Sequence, residues 1–171
     1  RFNVKLVNTS SSALTNVYYM RSCDPDNDSY TGGSSTTTNT IDYQNDAIHR
    51  VQVTAAGTFY TGQTLGLSTK DCRAKCFIAP SWPTFAGTSA TLANYYSGSA
   101  STEMTTLGTT EVGDAAIGLV FNLGTIAAGD STFLTYAYVY KGRLGMDSSI
   151  AETKSVGLGL AHDSTTRGGR C

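Results

Sequence analysis

The chain has 171 residues, of which 40% are hydrophobic and three are proline, enough to bury one core and too few for two, so a single domain is expected. Its formal net charge is -1 and only 15% of residues are charged, below the usual quarter. That balance speaks against nucleic acid as a partner, because a polyanion is held by a basic face this sequence does not supply.

The strands follow from the period-two alternation of apolar residues. Phe2, Val4 and Leu6 form a first strand that ends in the turn residues Asn8 to Ser12, and Leu14 to Met20 forms a second. Ser22 to Asn39 is almost wholly polar and too long for a hairpin turn, so it reads as a surface loop. Ile48 to Ala55 alternates again, with Val51 and Val53 on one face, and Thr64 to Ser68 is a short strand carrying Leu65 and Leu67. Asp71 to Cys76 is a tight turn leading into Phe77, Ile78 and Ala79, and Pro80 and Pro83 stop what precedes them. Trp82 to Gly113 offers little pattern and reads as an insertion loop. Ala115 to Tyr140 is the most ordered stretch. Ile117, Leu119, Phe121 and Leu123 share one face, Gly124 and Gly129 bracket a link, and Ser131 to Tyr140 is rich in the branched and aromatic residues that suit a sheet, so a long β-hairpin is expected. Beyond Lys141, Val156, Leu158 and Leu160 alternate with glycines.

Seven or eight strands with no sustained helical period give an all-β fold, an antiparallel β-sandwich of immunoglobulin-like or jelly-roll-like type with long polar loops. The domain is expected over residues 1–142, with residues 143–171 as a C-terminal extension. No apolar run approaches the ~20 residues that cross a bilayer. The first residue is Arg, which fits a removed signal segment or an excised part of a longer protein.

Four cysteines, Cys23, Cys72, Cys76 and Cys171, are an even set, and in a secreted chain that favours disulfides over a zinc site, whose paired knuckle spacing is absent. Cys23 is expected to pair with Cys72 or Cys76 across one end of the sandwich, leaving Cys171 for the remaining thiol. Two sequons, Asn8-Thr9-Ser10 and Asn27-Asp28-Ser29, agree with a secretory route and make Asn8 and Asn27 glycosylation candidates.

The densest acidic cluster is Asp24-Pro25-Asp26-Asn27-Asp28. Alternating carboxylates in a loop can converge on calcium, which takes about six to eight oxygen ligands, so Asp24, Asp26 and Asp28 are the metal candidates. The alternative is that they build turns through their own backbone. Ser29 and Ser35 stand where an EF-hand needs Gly and Glu, which removes that motif. His49 reads as a strand residue and His162 as a tail residue. No GxSxG elbow holds a nucleophile, Asp114 and Asp130 read as turn residues, Glu103 and Glu111 lie in loop, and Gly32-Gly33 lacks the Lys and helix of a phosphate loop. No catalytic residue, cofactor or enzymatic activity is therefore expected. Trp82, Tyr95 and Tyr96 either stack on sugar rings or cover the core.

The run VYYMRSCDPDND, then TTTNTI, TLGLSTKDCRA and GDAAIGLVFNLGTIAAGDSTFLTYAYVY resembles β-sandwich modules of large secreted microbial surface proteins, adhesin-like and fibre-forming chains, over most of residues 4–140. The resemblance implies an extracellular or cell-surface location and a fold rather than an activity, and in such modules neither Cys23 nor Cys72 is expected to be required. The functional expectation is a non-enzymatic structural subunit of an extracellular assembly, a homo-oligomer or polymer. The alternative is a carbohydrate-binding module. Val156, Leu158 and Leu160 are the expected assembly strand, completing an open sheet edge on a neighbouring subunit or folding back on their own.

Overall fold

The computed structural model describes residues 1–29, 32–45, 47–58, 63–80, 89–99 and 103–140. Among them lie nine strands, β1 (Phe2–Val7), β2 (Leu14–Cys23), β3 (Thr37–Gln44), β4 (Val51–Gly57), β5 (Thr64–Thr69), β6 (Ala74–Ala79), β7 (Thr110–Gly113), β8 (Ala116–Ile126) and β9 (Ser131–Tyr140), and one helix, α1 (Ser89–Ser97). The strands form a six-stranded sheet in the order β1-β9-β5-β4-β3-β7 and a three-stranded sheet in the order β2-β8-β6, antiparallel throughout. The fold is an all-β sandwich, as the alternation requires.

Strand β8 shows why the two sheets face each other. Ile117, Leu119, Phe121 and Leu123 turn inward, where they meet Ile41, Val51, Val53 and Leu67 of the larger sheet together with Ala74, Cys76 and Ile78. Each large side chain sealed there contributes about 1.5–3 kcal/mol relative to exposure. The intervening residues Ala116, Gly118 and Val120 face the other way, and that face is buried too. Phe77 and Ala79 of β6 lie on it, and α1 covers them with Tyr95, Leu92 and Tyr96. Gly118 sits opposite Phe77 in the ladder, and a Cβ placed there would fall inside the Phe77 ring. The glycine is what lets the ring lie flat on the strand.

Three elements differ from the sequence reading. First, β8 and β9 are not a hairpin: β8 pairs with β2 and β6, and β9 pairs with β1 and β5. Their link carries the chain from one sheet to the other through Gly124 and Gly129 at positive φ, and a hairpin and a sheet-crossing turn leave the same glycine signature in sequence. Second, Thr37–Gln44 is a strand rather than loop. Its inward residues Thr37 and Asn39 are polar but fully buried, and they satisfy each other, with Thr37 Oγ1 donating to Asn39 Oδ1 at 3.1 Å and Asn39 Nδ2 donating to the Thr37 carbonyl at 3.2 Å. Third, the presumed insertion after Trp82 contains α1 and β7. Residues 141–171, including the expected assembly strand, His162 and Cys171, lie outside the described residues, as does Trp82.

Candidate functional site

One end of the sandwich gathers the C-terminal ends of β2, β4 and β9, the β7-to-β8 connection and the loop that follows Cys23. The loop is tied down by Asn27, whose Nδ2 donates to the carbonyls of Ala55 at 2.7 Å and Gln63 at 3.2 Å. It is closed by the Ser29 amide donating to the Asp26 carbonyl and the Gly33 amide donating to the Asp28 carbonyl. These bonds split the acidic run. Asp28 turns inward and is fully buried, its carboxylate filling the space where Gly57 has no side chain and its Cβ closing on Gly33. Asp24 and Asp26 stay outside, and the third carboxylate of their group is Asp114, from the connection into β8; an oxygen of each lies within 4.8 Å of the others. The expected trio of Asp24, Asp26 and Asp28 is thus corrected to Asp24, Asp26 and Asp114. Nothing local in the sequence marks Asp114, because only the antiparallel register of β2 on β8, with Cys23 opposite Ile117, brings it beside Asp24.

Burial first, and then the charges of Asp26 and Asp114, hold the Asp24 carboxyl above its ordinary value of 3.8. A hard cation with oxygen ligands at about 2.3–2.6 Å spans some 4.6–5.2 Å between opposite donors, and the three oxygens here lie within that reach of one another. The donors are all hard oxygens, which suits calcium or magnesium rather than zinc.

Beside this end runs an aromatic strip on the inner face of the larger sheet, partly covered by β2 of the smaller one. Phe2 stacks on Tyr136 at 5.1 Å, and Tyr138 and Tyr140 lie nearly parallel with ring centroids 6.4 Å apart. Arg21 reaches across from β2, its Nε donating to the Tyr138 hydroxyl at 2.7 Å. Deeper in, Tyr19 approaches the Tyr136 hydroxyl, and burial followed by that hydrogen bond pushes the Tyr19 phenol up to about 12. Phe2 is 47% and Tyr140 64% exposed, so the strip runs from a packed interior to open solvent.

The remaining sequence candidates have structural employment. Asn8 is 1% exposed. Its Nδ2 donates to the carbonyls of Ser12 at 2.8 Å, Ile126 at 2.9 Å and Ala127 at 3.0 Å, and its Oδ1 accepts from the Ser10 amide and hydroxyl. The Asn8 sequon is therefore a hydrogen-bonded corner joining the β1 end to the β8-to-β9 link, and a glycan has no place on that nitrogen in the folded chain. Asn27 likewise spends its amide hydrogens on Ala55 and Gln63, so both glycosylation candidates are read as clamps.

Cys23 and Cys76 are free thiols. They flank β8 on opposite sides, Cys23 opposite Ile117 and Cys76 opposite Leu119, so two strand spacings, about 9.5 Å, and a two-residue offset along the strand separate them, beyond the ~7 Å limit for a bridge. Burial pushes the Cys23 thiol up to about 12 and raises that of Cys76 further. The third described cysteine is Cys72. It sits in the β5-to-β6 connection at the other end of the sandwich from Cys23, near the level of Asn122, whose amide donates to the Arg73 carbonyl. The expected pairing of Cys23 with Cys72 or Cys76 is thereby overturned.

His49 is in a turn at φ 56, not in a strand, and its Nδ1 meets Asn45 Oδ1 at 3.3 Å. Tyr95 packs on Phe77 at 4.8 Å, with Glu103 as its hydroxyl's partner, and Tyr96 packs on Tyr18. These two tyrosines cover the smaller sheet. No protein-family model, no curated protein and no solved structure matches this chain.

Proposed function

We propose that the chain is a non-enzymatic structural subunit of an extracellular surface assembly or fibre, joined to its neighbours by β-strand contacts. The observation that carries this reading is that the six-stranded sheet begins at β1 and ends at β7, with no further strand on either edge among the described residues. Both edges show apolar side chains to water: Phe2 and Val7 on β1, and Val112, 60% exposed, on β7. An unprotected edge is a template for another strand. Two different edges on one sheet make the contact heterologous, so adding the β1 edge of one copy to the β7 edge of the next leaves a fresh edge and the assembly propagates. Only Lys5 blunts β1, and its ammonium lies over the neighbouring Phe133 ring at 5.3 Å.

Electron microscopy and light scattering of the native protein test the reading. Filaments or concentration-dependent oligomers are expected, and Val7→Lys with Val112→Lys, both at exposed positions, should abolish them while circular dichroism shows the chain still folded. A native chain that stays monodisperse to millimolar concentration refutes it.

The Tyr138–Tyr140 ring pair beside Arg21, with Tyr140 exposed and Tyr138 half-buried, supports a second reading, a carbohydrate-binding module, since an exposed ring face with a nearby polar group suits stacking of a sugar. Saturable binding on a glycan panel that is lost in Tyr140→Ala would support it. An empty panel would exclude it.

A further inference from the structure

Four tyrosines of the aromatic strip form a continuous series from the core to water. Tyr136, Tyr138 and Tyr140 are alternate residues of β9, so they stand on one face about 6.6–6.8 Å apart along the strand. Their ring centroids are 6.4 Å apart at each step. Tyr19 of β2 continues the series inward, 6.2 Å from Tyr136 between centroids and 3.5 Å between hydroxyl oxygens. Exposure rises along it: Tyr136 is 5% exposed, Tyr138 is half-buried and Tyr140 is 64% exposed. Among the described tyrosines, Tyr140 alone is exposed.

These positions differ in what a tyrosine can do once it loses an electron. The oxidised phenol is a cation and a strong acid, so the radical persists only where its proton finds an acceptor, and burial opposes the charged form. The Tyr19 hydroxyl meets that of Tyr136, another phenol and a weak base. The Tyr138 oxygen accepts from Arg21 Nε at 2.7 Å, and the guanidinium charge opposes a second positive charge beside it. Tyr140 stands in water, which takes the proton. Rings this close exchange electrons with one another, so an oxidising equivalent entering at any of the four runs outward and settles on Tyr140.

We propose that Tyr140 is an oxidative cross-linking site, at which one-electron oxidation of the tyrosine series is collected and two copies of the chain are joined through a dityrosine bond. Each Tyr140 phenol gives up one electron and one proton. The two phenoxyl radicals form a carbon–carbon bond between ring carbons ortho to their oxygens, and each ring then moves the hydrogen of that carbon to its oxygen and regains aromaticity. The two electrons and two protons reduce one hydrogen peroxide to two waters through a haem peroxidase, the oxidant class the step requires. Coupling needs neither edge pairing nor a glycan, so it goes beyond both readings above. It should persist in the chain carrying Val7→Lys and Val112→Lys.

Treating the full chain with a haem peroxidase and hydrogen peroxide tests the site, read by dityrosine fluorescence, a reducing denaturing gel and peptide mapping. A covalent dimer whose cross-linked peptide joins Tyr140 to Tyr140 is expected. Its yield should fall several-fold in Tyr140→Phe, which removes only a hydroxyl at an exposed position, with circular dichroism unchanged. No covalent dimer, a cross-link at Tyr30 or Tyr60 instead, or a yield indifferent to Tyr140→Phe overturns the assignment. The series is tested with azide radicals, a small diffusible one-electron oxidant. In Tyr140→Phe the oxidising equivalent loses its exit, so hydroxylated Tyr138 and Tyr136 should rise several-fold over the native chain. A surface tyrosine acting alone would leave those two equally modified in both chains, and that result would refute the outward transfer.

Discussion

Replacing Gly118 with alanine tests the packing of the three layers most directly. The added Cβ would overlap the Phe77 ring. That ring is fully buried and held from the other side by Tyr95, at a centroid distance of 4.8 Å, so it cannot lift without displacing α1. Overpacking of this kind costs about 1–3 kcal/mol, and complete expulsion of the ring would approach the roughly 3–5 kcal/mol of a Phe→Ala change. A loss of about 3 kcal/mol is therefore expected, read by urea denaturation as a lower midpoint at constant slope. For a chain of this size it corresponds to a melting temperature lower by roughly 6–12 °C. The control is the same substitution in a Phe77→Leu or Phe77→Ala background. With the ring gone, Gly118→Ala should be neutral or should stabilise by about 0.5–1 kcal/mol, the ordinary gain of alanine over glycine within a strand. The cycle should thus return a coupling energy of about 3 kcal/mol. Equal cost of Gly118→Ala in both backgrounds would refute the steric explanation and show that the glycine is required for some reason other than the ring.

Three further outcomes are expected. Asn8→Asp puts a carboxylate oxygen where an NH2 group now serves three carbonyls, and by repulsion and lost hydrogen bonds it should cost about 2–3 kcal/mol; intact mass of the native protein should show Asn8 without glycan. The Cys23 and Cys76 thiols should resist alkylation in the native protein at pH 8 and react on unfolding. Because burial raises both above their ordinary 9.0, with Cys23 at about 12, their stabilising contribution is complete below pH 9 and is lost as pH rises from there, by up to about 1.4 kcal/mol per pH unit for each group still protonated only in the fold; Cys23→Ala should flatten that alkaline slope. At the acidic end, Asp24 is raised above 3.8, so the fold holds its proton more tightly than the unfolded chain, and the contribution present below that value is lost as pH increases through its folded titration. Asp114→Asn should lower the Asp24 midpoint measured by NMR and raise stability at neutral pH, and a midpoint indifferent to residue 114 would separate the two carboxylates.

The sequence by itself determined which segments are strands wherever one face is apolar and the other is not. Phe2–Val7 was legible from alternation, because burial of one face leaves a period of two in the chain. Leu14 to Met20 and Thr64 to Ser68 were legible as the bulk of their strands, β8 was legible because Ile117, Leu119, Phe121 and Leu123 share a face although both faces are buried, and Ser131–Tyr140 from its branched and aromatic residues. The same signal failed at Thr37–Gln44, whose inward Thr37 and Asn39 are polar and satisfied by each other. It also failed at α1, a short helix whose apolar residues are spread too thinly among Ser, Ala and Asn to show a helical stripe. What the tertiary structure alone decided is partnership. Whether the link after Ile126 makes a hairpin or crosses between sheets depends on where β1 and β5 offer free edges to β9. Whether an asparagine in a sequon is a glycan acceptor or a corner post depends on carbonyls 118 and 119 residues away. Asp28 and Asp114 changed places for the same reason: an empty space at Gly57 draws one carboxylate in, and the register of β8 brings the other out to its neighbours. Alternation records how much of a residue is buried but not against what, and the chemistry of a site is fixed by what it is buried against.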